Sequence, residues 1–274
     1  MDAMTTPAAR QGTTPLRDGA SLAWRLANPA GTTRMALVHS LAMDGAFWDA
    51  VVACLPEDVA VLAIDCRGHG RSTRSPGPFT VEQFADDLAE VMEELGWQGA
   101  LVAGASMGGC VALAFATRHA GRVRALGLID TTAWYGENAP AAWEERGMKA
   151  VTEGLDALVG FQKSRWFSPA FITRSPEVVE QAVATFMAND VASYLATCRM
   201  LGAADLRAGL PRFDFPTAIV VGEHDYATPP EMARAMAEAI PGATLEILPD
   251  LRHFTPLEAP EAIAAALMRL AGKI

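Results

Sequence analysis

The stretch that most constrains this chain is Gly104-Ala105-Ser106-Met107-Gly108-Gly109, preceded by the apolar run Ala100-Leu101-Val102-Ala103. A short apolar run ending in small residues and followed by helix-compatible ones reads as a strand, a sharp turn and a helix start. The G-x-S-x-G spacing fits a turn that holds a serine in a strained conformation, with small neighbours because two backbones must pass closely there. Such a serine stands at the carboxyl edge of a sheet, where its hydroxyl can act as a nucleophile if a base, an acid and oxyanion donors converge on it. No residue from Leu95 to Thr117 is charged, which on hydropathy alone would suit a spanning helix. Gly96, Gly99, Gly104, Gly108 and Gly109 punctuate the span, so a buried strand followed by a buried helix accounts for it better.

Around this stretch, strand and helix signals alternate. Leu22 to Leu26 and Met35 to His39 read as early strands and Phe47 to Cys54 as a helix. Val59 to Ile64 is a strand without polar alternation, as expected where helices cover both faces of a parallel sheet. The glycine-rich turn Asp65 to Ser72 resembles a dinucleotide fingerprint, but Thr73 stands where the third glycine belongs. It reads instead as a tight loop whose charged residues pin neighbouring backbone. Thr80, with Gln83 three residues on, caps a helix carrying Val81, Phe84, Leu88, Val91 and Leu95 on one face. After a strand at Ala125 to Asp130, strand signals stop near residue 133. Trp134, Tyr135, Trp143, Phe161, Trp166, Phe167, Phe171 and Phe186 fall in a mostly helical stretch up to about Leu206. Most of them read as packing, with one or two facing a pocket. Pro216 to Val221 restarts the strands, followed by a helix at Pro229 to Ala239, a strand at Thr244 to Leu248 and a helix at Ala259 to Leu270. The expectation is one doubly wound α/β domain with a mostly parallel sheet. Its core spans 1–132 and 207–274, and a helical lid at 133–206 is inserted between the halves.

The 274 residues are 51% hydrophobic and 20% charged, enough for one large buried core. A formal net charge of −10 argues against nucleic acid or an anionic membrane surface as partner, and an anionic substrate would need a local arginine. Cys54, Cys66, Cys110 and Cys198 show neither C-x-x-C nor zinc-type spacing and read as reduced structural thiols. No metal or other cofactor is expected. The start, Met1 to Pro7, has no basic and apolar signal pattern, so the expected location is cytoplasmic, with disorder confined to the first dozen residues. A homo-oligomer is left open.

Of the five histidines, His39, His69, His119, His224 and His253, only His253 combines a late position with a loop after the last strand, as the order serine, acid, histidine demands. Asp225, in Gly222-Glu223-His224-Asp225 after a strand, is the leading acid, and Asp130 is the alternative at the same sheet edge. Asp205, Asp214 and Asp250 read as surface or capping residues. The oxyanion of an attacked carbonyl needs two N–H donors. Met107 supplies one at a helix start; the loop His39-Ser40-Leu41-Ala42 points to the N–H of Leu41 for the other, ahead of Ala42.

With these residues in this order the chain resembles the α/β-hydrolases, on Asp65 to Ser72, Gly104 to Gly109, Gly222 to Pro230, and His253 with Leu257-Glu258-Ala259-Pro260. Within them it looks most like the 3-oxoadipate enol-lactonases of aromatic catabolism. The likeness lies in Asp130-Thr131-Thr132-Ala133, Trp143-Glu144-Glu145-Arg146, Arg165 to Phe171 and Asp205-Leu206-Arg207. The resemblance implies a lactone opened by Ser106, an acyl-serine intermediate and a water activated by His253. It also suggests Trp134, Arg165 and Arg199 as candidates for holding a substrate carboxylate. Two departures keep other substrates open: His39 stands where these lactonases carry asparagine, and His253-Phe254-Thr255-Pro256 is closer to general esterases. The alternatives are a carbon–carbon bond hydrolase of ring-cleavage products, a general carboxylesterase, and a non-enzymatic ligand-binding protein, which would normally carry a broken triad.

Overall fold

A computed structural model of the chain describes residues 10–274. The reading of Met1 to Pro7 as lacking a signal lies outside the described residues, as does most of the expected disordered start. Residues 10–12 depart from that expectation, because they open the strand β1 (Arg10–Pro15), which pairs antiparallel with β2 (Ser21–Ala27). Next come β3 (Thr33–Val38), a 3-10 turn at Gly45–Trp48 capped by Asp44, and the short helix α1 (Asp49–Ala53), where the sequence suggests one helix. Then follow β4 (Val59–Ile64), α2 (Val81–Glu94), β5 (Ala100–Ala105), α3 (Met107–Arg118) and β6 (Val123–Ile129).

Every residue of β4 and β5 is buried, which explains their unbroken apolar pattern: helices cover both faces of the sheet. Thr80 caps α2 by accepting the Gln83 N–H at 3.1 Å. The eight strands of the sheet run in the order β1-β2-β4-β3-β5-β6, followed by β7 (Thr217–Gly222) and β8 (Thr244–Leu248). All neighbours from β4 to β8 pair in parallel, while β2 meets β4 antiparallel. The chain is thus an α/β-hydrolase fold with a mostly parallel, doubly wound sheet. Winding reverses between β3 and β5, so the loops leaving their carboxyl ends diverge and open a crevice, the usual ligand position in such sheets. Those two loops carry Ser40-Leu41 and Ser106.

Between β6 and β7 lie five α-helices, α4 (Ala139–Glu153), α5 (Asp156–Trp166), α6 (Pro169–Arg174), α7 (Pro176–Met187) and α8 (Val191–Ala203), and then a 3-10 helix at Arg207–Arg212. The two ends of this insertion meet where Trp134 bridges Asp205 and the Leu206 N–H donates to the Ala133 carbonyl at 2.9 Å. After β7 come α9 (Pro230–Ala239), then β8, the short α10 (Thr255–Glu258) and α11 (Pro260–Ala271). No helix among the described residues is long and apolar enough to cross a membrane.

Candidate active site

The turn after β5 forces Ser106 to φ +54° and ψ −116°, a conformation that costs a non-glycine residue about 1–3 kcal/mol. Its neighbours are glycine for a measurable reason: a Cβ on Gly104 would sit 2.0 Å from the Gly108 carbonyl oxygen, and one on Gly108 would sit 2.1 Å from that of Val38. Strand, helix and the neighbouring strand β3 can approach this closely only without side chains. The strained serine is held by its own backbone, its N–H donating to the Ile129 carbonyl at 2.9 Å and its carbonyl accepting the Thr131 hydroxyl at 2.6 Å.

His253 lies between Ser106 and Asp225, with Nε2 at 2.8 Å from Ser106 Oγ and Nδ1 at 2.7 Å from Asp225 Oδ2. Asp225 also accepts the N–H groups of Ala227 and Thr228, at 2.7 and 2.9 Å, and the Thr228 hydroxyl at 2.9 Å. These bonds fix the direction of the carboxylate, which orients the imidazole with Nδ1 as the donor to Asp225 and Nε2 facing the serine hydroxyl. The structure therefore brings Ser106, His253 and Asp225 together in one line.

Asp130, the alternative acid, faces another way. Its carboxylate accepts the Gly222 N–H at 3.1 Å, and the Thr255 N–H and hydroxyl at 3.0 and 2.7 Å. It ties the segment after His253 to the sheet edge and makes no hydrogen bond with the imidazole. Burial, and then the nearby Asp225 charge, push its carboxyl well above the usual range. His224 is exposed, 4.0 Å from Asp250, and His119 pairs with Asp86 at 2.8 Å, so neither approaches the serine.

The loop after β3 is shaped by His39. Its Nε2 accepts the Cys66 N–H at 2.9 Å, so Nδ1 carries the ring proton and donates to the Ser40 carbonyl at 2.7 Å. Because a trans peptide directs its C=O and N–H to opposite sides, this bond turns the Leu41 N–H away from the imidazole. Ala42 follows with φ +60°, its carbonyl accepting Asn189 Nδ2 from the insertion at 2.8 Å. The Met107 N–H opens α3, where no intrahelical acceptor exists. The glycine turn after β4 is a pinning loop: Asp65 accepts the N–H groups of Gly45 and Arg71, and Arg67 forks onto Asp87.

Ser106, His253, Ser40 and Leu41 line one wall of a cavity of about 240 Å³, below the roughly 300–1,000 Å³ usual for ligand pockets. The insertion supplies much of the remainder, with Tyr135, Trp143, Phe161 and Trp166 lining it, more aromatic residues than sequence suggests. Trp166 also stacks on Phe254 at 4.7 Å, while Phe167 and Phe171 pack against each other at 5.3 Å. Of the three carboxylate-binding candidates only Arg165 lines the cavity. Arg199 forks onto Glu144 at 2.6 Å on the exposed side of the insertion, and Trp134 stacks under the Arg207 guanidinium at 3.7 Å. Among the lining residues that sequence reasoning missed are Arg146, Gln162, Asn138 and Thr228. Arg146 belongs to a tetrapeptide that the sequence singles out, but nothing in spacing says which helix face meets the pocket. The four cysteines are free thiols; burial raises Cys66 and pushes Cys110 and Cys198 up to about 11.

Comparison with known proteins agrees with this architecture. The profile of a family described as alpha/beta hydrolase fold matches residues 33–260. The chain is 30% identical over 229 residues to the 3-oxoadipate enol-lactonase 2 of Acinetobacter baylyi, covering 84% of this chain and 85% of that protein. Among solved structures, an enol-lactonase from Burkholderia xenovorans superposes with a TM-score of 0.89 at 33% identity, covering 95% of this chain and all of that one. A thermophilic esterase from Thermogutta terrifontis superposes with a TM-score of 0.87 at 29% identity, covering 96% of this chain and 97% of that one.

Proposed function

The chain belongs to the α/β-hydrolase fold family, and from that membership we propose that it is a serine hydrolase of lactones or small carboxylic esters, most like the 3-oxoadipate enol-lactonases. The observation that carries this reading is the hydrogen-bonded line from Asp225 through His253 to Ser106 at the wall of a cavity. Ser106 Oγ attacks the carbonyl carbon as His253 Nε2 takes its proton, and Asp225 stabilises the resulting imidazolium. The oxyanion receives the N–H groups of Leu41 and Met107, donors fixed before reaction by the His39 clamp and the helix start. Collapse breaks the C–O bond, and His253 returns the proton to the leaving oxygen, which in a lactone stays attached to the acyl chain. A water deprotonated by His253 then releases the acid and restores Ser106.

The helical insertion acts as a lid over this chemistry. The main-chain N–H of Phe254 donates to the Trp166 carbonyl at 3.0 Å, and buried Glu258 accepts the Ser168 hydroxyl at 2.6 Å, so the loop bearing the base is anchored to the lid. Four free thiols, three of them buried, suit a cytoplasmic enzyme.

The test is Ser106→Ala. Turnover of 4-nitrophenyl acetate should fall by about 10⁴-fold or more, and covalent labelling by a fluorophosphonate should vanish. Labelling that persists in this variant would remove Ser106 from the mechanism. Comparing an enol-lactone with a vinylogous diketone acid separates lactone opening from carbon–carbon cleavage.

A further inference from the structure

The base stands on irregular backbone. Residues 249–254, between β8 and α10, form neither strand nor helix, yet His253 must hold two hydrogen bonds of 2.8 and 2.7 Å at once. On the sheet side the segment is fixed by close approach, since a Cβ on Gly222 would sit 2.3 Å from the Arg252 carbonyl oxygen. There the His224 N–H also donates to the Leu251 carbonyl at 2.8 Å. On its other side the segment meets the carboxyl end of α5.

A helix leaves its last carbonyls without intrahelical partners, and a glycine just past the end often lets the chain curl back to satisfy them. α5 runs out through Trp166-Phe167-Ser168-Pro169, with no glycine, and Pro169 opens α6. Its carbonyls are met instead by three consecutive residues centred on the base. Arg252 donates through Nη1 to the Ser164 carbonyl and, at 3.3 Å, to that of Phe167. The His253 N–H donates to the Arg165 carbonyl at 3.4 Å, and the Phe254 N–H to the Trp166 carbonyl at 3.0 Å. The Arg252 cation thus lies at the negative end of the helix, where it is favoured. Arg165 reaches the opposite way, donating through Nη1 to the carbonyl of Tyr226, the residue after Asp225. The Arg252 guanidinium in turn lies 5.2 Å from the Tyr226 ring. Acid loop, base loop and helix end hold one another, and Arg252 is the side chain that joins the base loop to both of the others.

We propose that Arg252 is a positioning residue for the base: by capping α5 it fixes the backbone from which His253 reaches Ser106. His253 lines the cavity and Arg252 does not, so the arginine acts through its neighbour. The proposal rests on the serine-hydrolase reading and adds that α5 cannot lift from the sheet edge without releasing the base. Misplacing a reacting group by about 1 Å costs about 10²-fold in rate, so the effect falls on kcat.

The experiment compares wild type, Arg252→Met and Arg252→Lys in 4-nitrophenyl acetate hydrolysis, with competent sites counted by end-point labelling with a fluorophosphonate. Per labelled site, Arg252→Met should lower kcat and the labelling rate constant together by about tenfold to a hundredfold, with KM within about twofold of wild type. Arg252→Lys, whose ammonium can still donate to the helix-end carbonyls, should recover part of both. Loss of a merely structural contact would reduce the number of competent sites or the melting temperature and leave kcat per site unchanged, and that result overturns the proposal. Hydrogen exchange on the wild-type protein decides the matter even if no variant folds. Amides in the last turn of α5 and those of His253 and Phe254 should show protection within about tenfold of each other, as members of one opening unit. A wider gap overturns the proposal as well. Ser106→Ala keeps the two ideas distinguishable. Persistent labelling in that variant rejects the hydrolase reading and, with it, any part for Arg252 in aiming a base; lost labelling there, with kcat per site unchanged in Arg252→Met, rejects the positioning role alone.

Discussion

The sheet edge and the helical insertion share one cavity but are held by different physics. At the edge, position follows from steric exclusion: Gly104 and Gly108 admit backbone where a Cβ would overlap it, and Ser106 stays strained because strand, helix and β3 all fix it. In the insertion, position follows from side-chain packing, with α4 lying along α8 and aromatic rings from α5 to α7 filling the space above Phe254. The first kind of constraint tolerates almost no change and suits reacting atoms. The second accepts alternative side chains of similar volume and suits the choice of ligand.

The sharpest way to break this division is to compare the two acids of the sheet edge. Asp225→Asn should lower kcat by about 10⁴-fold while the protein stays folded, because the imidazole loses the acceptor that fixes its tautomer. Asp130→Asn should act mainly on stability, costing about 1–3 kcal/mol, since an amide offers one acceptor oxygen where three donors converge. Steady-state kinetics beside urea denaturation reads both effects. Equal losses of kcat would mean that the anchoring of Thr255 is as much a part of catalysis as the acid itself.

This difference in physics also explains what the sequence discloses. Glycine spacing, unbroken apolar strands and the order of Ser106, Asp225 and His253 are local signals, and they lead to the sheet, its winding and the residues that the structure brings into line. Asp130 and Asp225 look alike from sequence because both end strands at the same edge; only the direction of their side chains separates them. Arg146, Arg165 and Arg199 are equally plausible as letters in a helical segment. Which one faces the cavity depends on how α4, α5 and α8 rotate against one another, and no local rule fixes that. β1 has a related cause: Arg10 to Pro15 has little apolar pattern because it is an edge strand with one face open.

A smaller effect concerns the histidines, all five of which lie outside residues 133–206. Burial, and then the charge of His39, push His69 down to about 3, and burial also lowers His39. Both rings are therefore neutral in the fold, whereas the unfolded chain takes up protons near pH 6.5. The unfolded state binds more protons below that value, so stability is lost as pH falls from about 6.5 toward 3. For His69 alone the loss between pH 7 and pH 5 is about 2 kcal/mol. The depressed carboxylates Asp18 and Asp86 add their losses only below about pH 4. The raised Asp130 carboxyl works in the opposite direction, so the histidine contribution is read as a difference: from pH 7 to 5 the urea midpoint should fall more for the wild type than for His69→Gln. An equal change in the two would place the proton uptake elsewhere.

The smallest expected effect tests whether the two regions are independent at all. Asn189, just after α7, donates through Nδ2 to the Ala42 carbonyl at 2.8 Å and to those of Thr185 and Phe186 at 2.9 and 3.0 Å. One amide thus joins the end of an insertion helix to the loop that presents the Leu41 N–H. That loop carries a non-glycine residue at positive φ, which persists only when its surroundings hold it. Asn189→Ala removes the tie without touching the cavity wall. A neutral hydrogen bond contributes about 0.5–1.5 kcal/mol, so kcat for 4-nitrophenyl acetate should fall about threefold to tenfold with KM nearly constant. That split marks a loss realised in the transition state, as expected when an oxyanion donor is less well aimed. A fall in thermal stability with kcat unchanged would instead show that the insertion shapes the pocket and leaves the oxyanion loop to His39 alone.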